Sequence, residues 1–166
     1  METRKKYVAY GSNLNLEQMQ RRCPTAEVVG KGEIKGYELL FRGSPNASYA
    51  TVEPKEGASV PVLIWEIGEE DEKHLDWYEG YPRLYCKKNI PVETENGTES
   101  IMVYIMNDGP KIGKPSDAYL NTIKRGFHDA GFDITFLDER VEYCNRLIEE
   151  AINETGMANS WEMQHM

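Results

Sequence analysis

Apolar and polar positions change rhythm once along the chain: short apolar runs broken by glycine and proline come first, and helical spacing takes over afterwards. Tyr7-Val8-Ala9-Tyr10 reads as a strand that runs directly into the small polar residues Gly11-Ser12-Asn13. Asn15, followed three residues on by Gln18, resembles a capping box, which predicts a short helix over 16–22 ended by Cys23-Pro24. β-type runs follow at 27–34, 37–42 and 48–52, with Gly30, Gly32, Gly36, Gly43 and Pro45 within and between them, as the bulges and bends of a curved sheet or barrel require. Residues 59–67 are a further strand, apolar enough to cross a core, whose start Pro61 places at an edge or a bulge. Glu69-Glu70-Asp71-Glu72 precedes Leu75, Trp77 and Tyr78 and reads as the acidic first turn of a short helix, where its charges suit the dipole. It reads as a solvated turn, not as a metal site.

Two more β-type runs, 85–93 and 99–106, meet at Asn96-Gly97, a strong hairpin signal, and are expected to pair antiparallel. Ser116 can cap a helix that carries Leu120, Ile123 and Phe127 on one face and ends at Gly131. Thr135 with Asp138 caps a last helix, with Leu137, Val141, Cys144, Ile148 and Ile152 at helical spacing and Gly156 closing it. Residues 157–166 keep no period and are expected to be loose. Strands joined by short turns, with helices gathered late, predict an α+β fold and leave no room for the crossover helices of a parallel sheet. The expected organisation is one domain over 1–156 and a tail over 157–166.

Composition narrows the function classes. A net charge of −9 with scattered Lys and Arg argues against nucleic acid and for a small neutral or zwitterionic partner. No apolar run approaches the roughly 20 residues of a membrane span, and no apolar segment of a signal peptide follows Arg4, Lys5 and Lys6. A cytoplasmic protein without a membrane role is the expectation. Cys23, Cys86 and Cys144 are odd in number and far apart, as in a reducing compartment, and with His74, His128 and His165 they form no metal-ligand spacing. No metal or cofactor is expected.

Two stretches are candidates for chemistry. The turn after the first strand leaves backbone N–H groups without ladder partners, which can bind a carboxylate or an oxyanion or can simply turn the chain into the next helix. The other stretch, residues 75–85, sets Glu79 among Trp77, Tyr78 and Tyr81. Desolvation there would raise its pKa from about 4.3 toward the range of a general base. Alternatively, Glu79 is an exposed helix-end residue before the C-cap Gly80.

Tyr10-Gly11-Ser12-Asn13-Leu14, Arg22-Cys23-Pro24, Leu75-Asp76 leading into Glu79-Gly80-Tyr81-Pro82, and Pro115-Ser116 leading to Tyr119 together resemble the γ-glutamylcyclotransferase (AIG2-like) superfamily, in its order and over roughly residues 6–130. The resemblance implies a small mixed β-barrel with flanking helices. It also implies a reaction that releases an amine or amino acid from a γ-glutamyl amide while the glutamyl part closes to 5-oxoproline. Carried over by position, Glu79 is the general base and acid, and Tyr7, Val8, Ala9, Tyr10, Gly11 and Ser12 line the substrate site, with Asn13 and Leu14 in support. Tyr85, Tyr104 and Tyr119 stand where the family places tyrosines near the cavity.

The substrate's own α-amine is the nucleophile in such a reaction, which accounts for the lack of a visible Ser-His-Asp or Cys-His set. Tyr81-Pro82-Arg83 resembles bacterial and AIG2-type relatives more than the mammalian glutathione-pathway members. The leaving group thus stays open between an amino acid, an amine and a protected biosynthetic intermediate. Some relatives form dimers, and the sequence leaves the oligomeric state undecided. Rival readings are a non-catalytic binding module for a small anionic metabolite and an acyl amide hydrolase.

Overall fold

The computed structural model describes residues 3–164, with side chains through residue 154. Five strands, β1 (Lys5–Ala9), β2 (Glu27–Ser44), β3 (Ala47–Ile67), β4 (Tyr85–Thr94) and β5 (Gly97–Met106), close into a barrel in the order β1-β3-β2-β4-β5. Neighbouring strands are antiparallel except at the closure, where β1 meets β5 in parallel at Tyr7 and Met102. Four helices flank the barrel: α1 (Leu16–Arg22), α2 (Glu69–Glu79), α3 (Asp117–Ala130) and α4 (Ile134–Gln164). This is the mixed barrel with flanking helices that the sequence predicts. Ile101 to Met106 of β5 are all buried, so this half-strand reads as a continuous apolar run, the pattern of a strand covered on both faces.

The four β-type runs between 27 and 67 are two long strands. A register shift between Lys35 and Tyr37, with Gly36 at φ 79°, bends β2 without ending it, and Gly57 at φ 83° lies within β3. Glycine here marks a bend inside a strand, which the residue pattern alone does not distinguish from a turn. Pro61 lies just beyond the stretch of β3 that pairs with β1, so its missing N–H costs no bond to that strand. The β4–β5 hairpin turns at Glu95 and Asn96, with Gly97 following at φ 102°.

Helix ends follow their signals in three cases. The Asn15 side chain accepts from Gln18 N–H at 3.0 Å. Ser116 Oγ accepts from Tyr119 N–H at 3.2 Å, and Gly131 closes α3 in the left-handed region. The fourth case differs: Asp133, not Thr135, caps α4, its carboxylate accepting from Thr135 N–H at 2.9 Å. α4 also continues through Gly156 to Gln164, so Gly156 does not end it. A glycine inside a helix costs only about 1 kcal/mol relative to alanine, which the helix formers around it can outweigh. Residues 165 and 166 of the expected tail lie outside the described residues.

α3 packs on the segment that follows β1, a single 3-10 turn over Ser12–Leu14. The approach is close at Gly126, where a Cβ would stand 2.6 Å from Leu14 Cβ and 2.8 Å from Asn15 N. Gly126→Ala is therefore expected to destabilise the protein. Overpacking of about 1–3 kcal/mol exceeds the roughly 1 kcal/mol gain in helix propensity. Urea unfolding of the variant measures the balance, and a midpoint at or above that of the parent would contradict the tight seat.

Candidate active site

β1 brings Tyr7 to the mouth of the barrel, and the chain then turns through Tyr10, Gly11, Ser12 and Asn13. The N–H groups of Gly11, Ser12 and Asn13 open the 3-10 turn, whose first internal bond is Leu14 N–H to Gly11 O at 3.0 Å, so the turn itself supplies them no acceptor. α2 brings Glu79, its last residue, to the same place. Gly80, at φ 65° and ψ 36°, stops the helix there as a left-handed cap. The four acids of the first turn of α2 lie where the dipole favours them, whereas Glu79 sits at the end that disfavours an anion.

Between these segments lies a cavity of about 240 Å³. Tyr7, Tyr10, Gly11, Ser12, Asn13, Glu79, Tyr85, Tyr104 and Tyr119 all line it, so the two sequence stretches and the three later tyrosines do meet. Val8, Ala9 and Leu14 do not. They are buried at 0%, 2% and 0% exposure within the core and lie outside the cavity lining. Successive strand residues point to opposite faces, which separates Val8 from Tyr7, and Leu14 lies under α3 against Gly126.

Tyrosine hydroxyls around the cavity are tied down. Tyr10 OH donates to Tyr104 O at 2.7 Å and Tyr85 OH to Ala50 O at 2.6 Å, while Tyr119 OH accepts from Ala50 N–H at 3.0 Å. Tyr104 OH donates to Asp76 Oδ1 at 2.6 Å. Burial pushes the pKa values of Tyr7, Tyr10, Tyr85, Tyr104 and Tyr119 above the usual phenol range, so these hydroxyls are uncharged near neutral pH. Glu79 is different. Burial of its carboxylate raises its pKa from 4.5 to about 7, against the pull of the Arg22 charge.

The residues that desolvate Glu79 are only in part the ones its neighbours in sequence suggest. Tyr78 and Trp77 do line the cavity, but Trp77 is 86% exposed, Tyr81 is 41% exposed and outside the lining, and the barrel tyrosines and the turn supply the other walls. Three contributors carried no role in the sequence reading. Arg22 donates to Asn13 Oδ1 at 2.6 Å, Trp65 Nε1 donates to Asn13 O at 3.1 Å, and Asp76 holds Tyr104. Arg22 and Asp76 do fall within the motifs that carry the resemblance. Trp65 lies in a strand that shows only apolar character, and nothing in the sequence links it to the turn. Among the described residues, no group of three or more His, Cys, Asp or Glu is placed to hold a metal, and no helix is long and apolar enough to cross a membrane.

A small closed barrel with one half-buried carboxylate of near-neutral pKa at its mouth is the architecture of an enzyme acting on a small molecule. The chain belongs to the γ-glutamyl cyclotransferase, AIG2-like family, whose profile matches residues 7–125. It is 24% identical over 157 residues to the human γ-glutamylcyclotransferase, covering 87% of this chain and 84% of the human one. To the Bos taurus γ-glutamylcyclotransferase it is 26% identical over 140 residues, covering 78% and 73%. A solved γ-glutamyl cyclotransferase structure superposes with a TM-score of 0.74 at 23% identity, over 83% of this chain and 86% of that one. The crystal structure of YkqA from Bacillus subtilis gives 0.73 at 19% identity, over 86% and 55%.

The raised pKa of Glu79 makes stability depend on pH. Its folded form binds the proton more tightly than the unfolded chain, so this contribution is intact below about pH 4.5 and is lost as the pH rises through about 7. The loss is about 3 kcal/mol at roughly 1.4 kcal/mol per pH unit. Glu79→Gln is expected to match the parent in stability near pH 4 and to exceed it near pH 8.5. Urea unfolding at the two pH values tests this, and a variant less stable than the parent at pH 8.5 would contradict it.

Proposed function

We propose that the chain converts a γ-glutamyl amide to 5-oxoproline and a free amine or amino acid, with Glu79 as the single proton carrier. The substrate's α-ammonium must lose a proton before its nitrogen can attack the γ-carbonyl. A carboxylate of ordinary pKa is a poor acceptor from an amine near 8, a mismatch of about 5 kcal/mol. Held at about 7, Glu79 reduces that mismatch to about 1–2 kcal/mol. The new C–N bond closes the five-membered ring. The tetrahedral centre then expels the leaving nitrogen, which takes the proton from the Glu79 carboxyl. The ring nitrogen's second proton passes through the freed carboxylate to the released amine, which leaves as an ammonium, and the enzyme ends as it began.

The cavity supports the remaining needs of this chemistry. Its volume of about 240 Å³ suits a folded glutamyl group, and folding that group brings amine and carbonyl to attack distance. N–H groups of the Gly11–Asn13 turn are the donors for the α-carboxylate or for the developing oxyanion. Pinned tyrosine hydroxyls keep the walls neutral, so the carboxylate faces little competing charge. The observation that carries the reading is the placement of Glu79, on a different element from the turn, in the same cavity.

Incubation with a panel of γ-glutamyl amino acids and γ-glutamyl amines is expected to release 5-oxoproline. Release of glutamate would point to a hydrolase, and binding without either product to a non-catalytic module. Glu79→Gln should lower kcat/KM by about 10²–10⁴, the range of a lost general acid–base group. In the parent, kcat/KM should rise with pH up to about 7 and then level, because the base must be ionised. Full activity of a folded Gln variant would sink the mechanism.

At Gly11 a Cβ would stand 3.2 Å from Ala50 Cβ and 3.7 Å from Tyr119 OH, at the clamped peptide of Ala50. Gly11→Ala is expected to raise KM severalfold while the fold is kept. Unchanged KM together with unchanged calorimetric affinity for a γ-glutamyl ligand would make the turn structural only.

A further inference from the structure

Arg22 has no part in the proton transfers above, yet it reaches the cavity wall from α1. Its Nη1 donates to Asn13 Oδ1 at 2.6 Å and its Nη2 to Gln18 Oε1 at 2.9 Å, and its guanidinium carbon lies 3.6 Å from the centre of the Tyr78 ring. Tyr78 OH in turn shares a hydrogen bond of 3.1 Å with Ser12 Oγ. A guanidinium stacked on one face and bonded through two nitrogens presents a fixed fork.

That fork decides which way Asn13 points. Arginine only donates, so the end of the Asn13 carboxamide that faces it must be the oxygen. The nitrogen is then forced to the other side, where it donates to Tyr7 OH at 2.9 Å and stands 3.4 Å from Glu79 Oε1, at the outer edge of hydrogen-bonding reach. In the reversed orientation the amide oxygen would face Glu79, and the contact would be favourable only with the carboxyl protonated. A donor beside a carboxyl favours the carboxylate, and an acceptor favours the acid. The orientation of one amide thus selects between the two forms of the base.

We infer that Arg22 is a positioning residue for the cyclotransferase reaction, holding the Asn13 carboxamide with its nitrogen toward the cavity so that Glu79 stays in its proton-accepting form. This rests on Glu79 being the base. The groups that face Glu79 from other elements are Tyr7 on β1, Tyr10 after it, Tyr85 on β4, Tyr119 on α3 and Arg22 on α1. The four tyrosines are neutral through the working pH range, which leaves Arg22 as the charge that opposes the burial of Glu79.

Two readouts on the full chain test the inference: the pH titration of the Glu79 carboxyl carbon by NMR, and the pH profile of kcat/KM for 5-oxoproline release. Arg22→Met is expected to move both midpoints up by about one pH unit, so that kcat/KM falls about fivefold at pH 7 and recovers by pH 9. Arg22→Lys, which keeps a donor and the charge, should return the midpoint most of the way. With Asn13→Ala in the background, Arg22→Met should move the midpoint clearly less, because the coupling through the amide is gone.

A loss of activity equal at every pH, with the midpoint unmoved, would overturn the inference and leave Arg22 a structural brace. An equal midpoint shift with and without Asn13 would also overturn it, since the charge alone would then suffice. Should Arg22→Met not fold, Asn13→Ala with Arg22 intact decides the matter: a raised midpoint supports the inference and an unmoved one overturns it. The NMR titration needs no turnover. A Glu79 midpoint that follows Arg22 in a protein releasing no 5-oxoproline would count against the proposed reaction and not against the positioning role.

Discussion

The hydrogen bonding of Asn13 is the constraint on which the cavity depends. Its backbone oxygen is held by Trp65 of β3, its side-chain oxygen by Arg22 of α1, and its side-chain nitrogen faces Tyr7 of β1 and Glu79 of α2. One residue of a three-residue turn therefore ties together two strands and two helices that are distant in sequence. Buried polar groups of this kind are costly unless each finds a partner, and a fully partnered set is correspondingly rigid. α3 adds a second restraint by lying on the same turn at Gly126, where no side chain fits.

A rigid frame is what a lone carboxylate with a raised pKa requires. Burial makes Glu79 a better base and at the same time makes the folded protein less stable once Glu79 ionises, and both effects arise from the same lost hydration. Nothing else lining the cavity carries charge near neutral pH. The tyrosines there contribute apolar area and spend their hydroxyls on backbone and carboxylate partners, as buried phenols do. The chemistry of intramolecular cyclisation fits this economy. The substrate brings its own nucleophile, and the protein has to orient it, accept one proton and return it.

The legible parts of the sequence were those in which a local signal has a local cause. Asn15 and Ser116 cap helices as their spacing predicts, Gly80 and Gly131 end them, and the apolar runs are strands. Reading failed where one residue type serves two purposes. The runs on either side of Gly36 and of Gly57 read as separate short strands but are continuous in two long bent ones, and Gly156 reads as a stop but is crossed by α4. Trp77 stands two residues from Glu79 and reaches the same cavity, yet at 86% exposure it shields little of it.

By itself the sequence determined where strand and helix occur, the caps of α1 and α3, the α+β class and the two stretches that bear the chemistry, because turn residues, apolar period and the family motifs are written in short segments. Tertiary structure decided which of those residues share a cavity. Tyr7, Tyr85, Tyr104 and Tyr119 meet Glu79 because the barrel closes, whereas Val8, Ala9 and Leu14, equally close in sequence, are turned into the core. It also decided the electrostatics. The raised pKa of Glu79 comes from burial, to which the barrel strands, the turn and α3 contribute beside Tyr78, and the charge of Arg22 on α1 opposes it. The contributions from other elements cannot be read from the residues on either side of position 79.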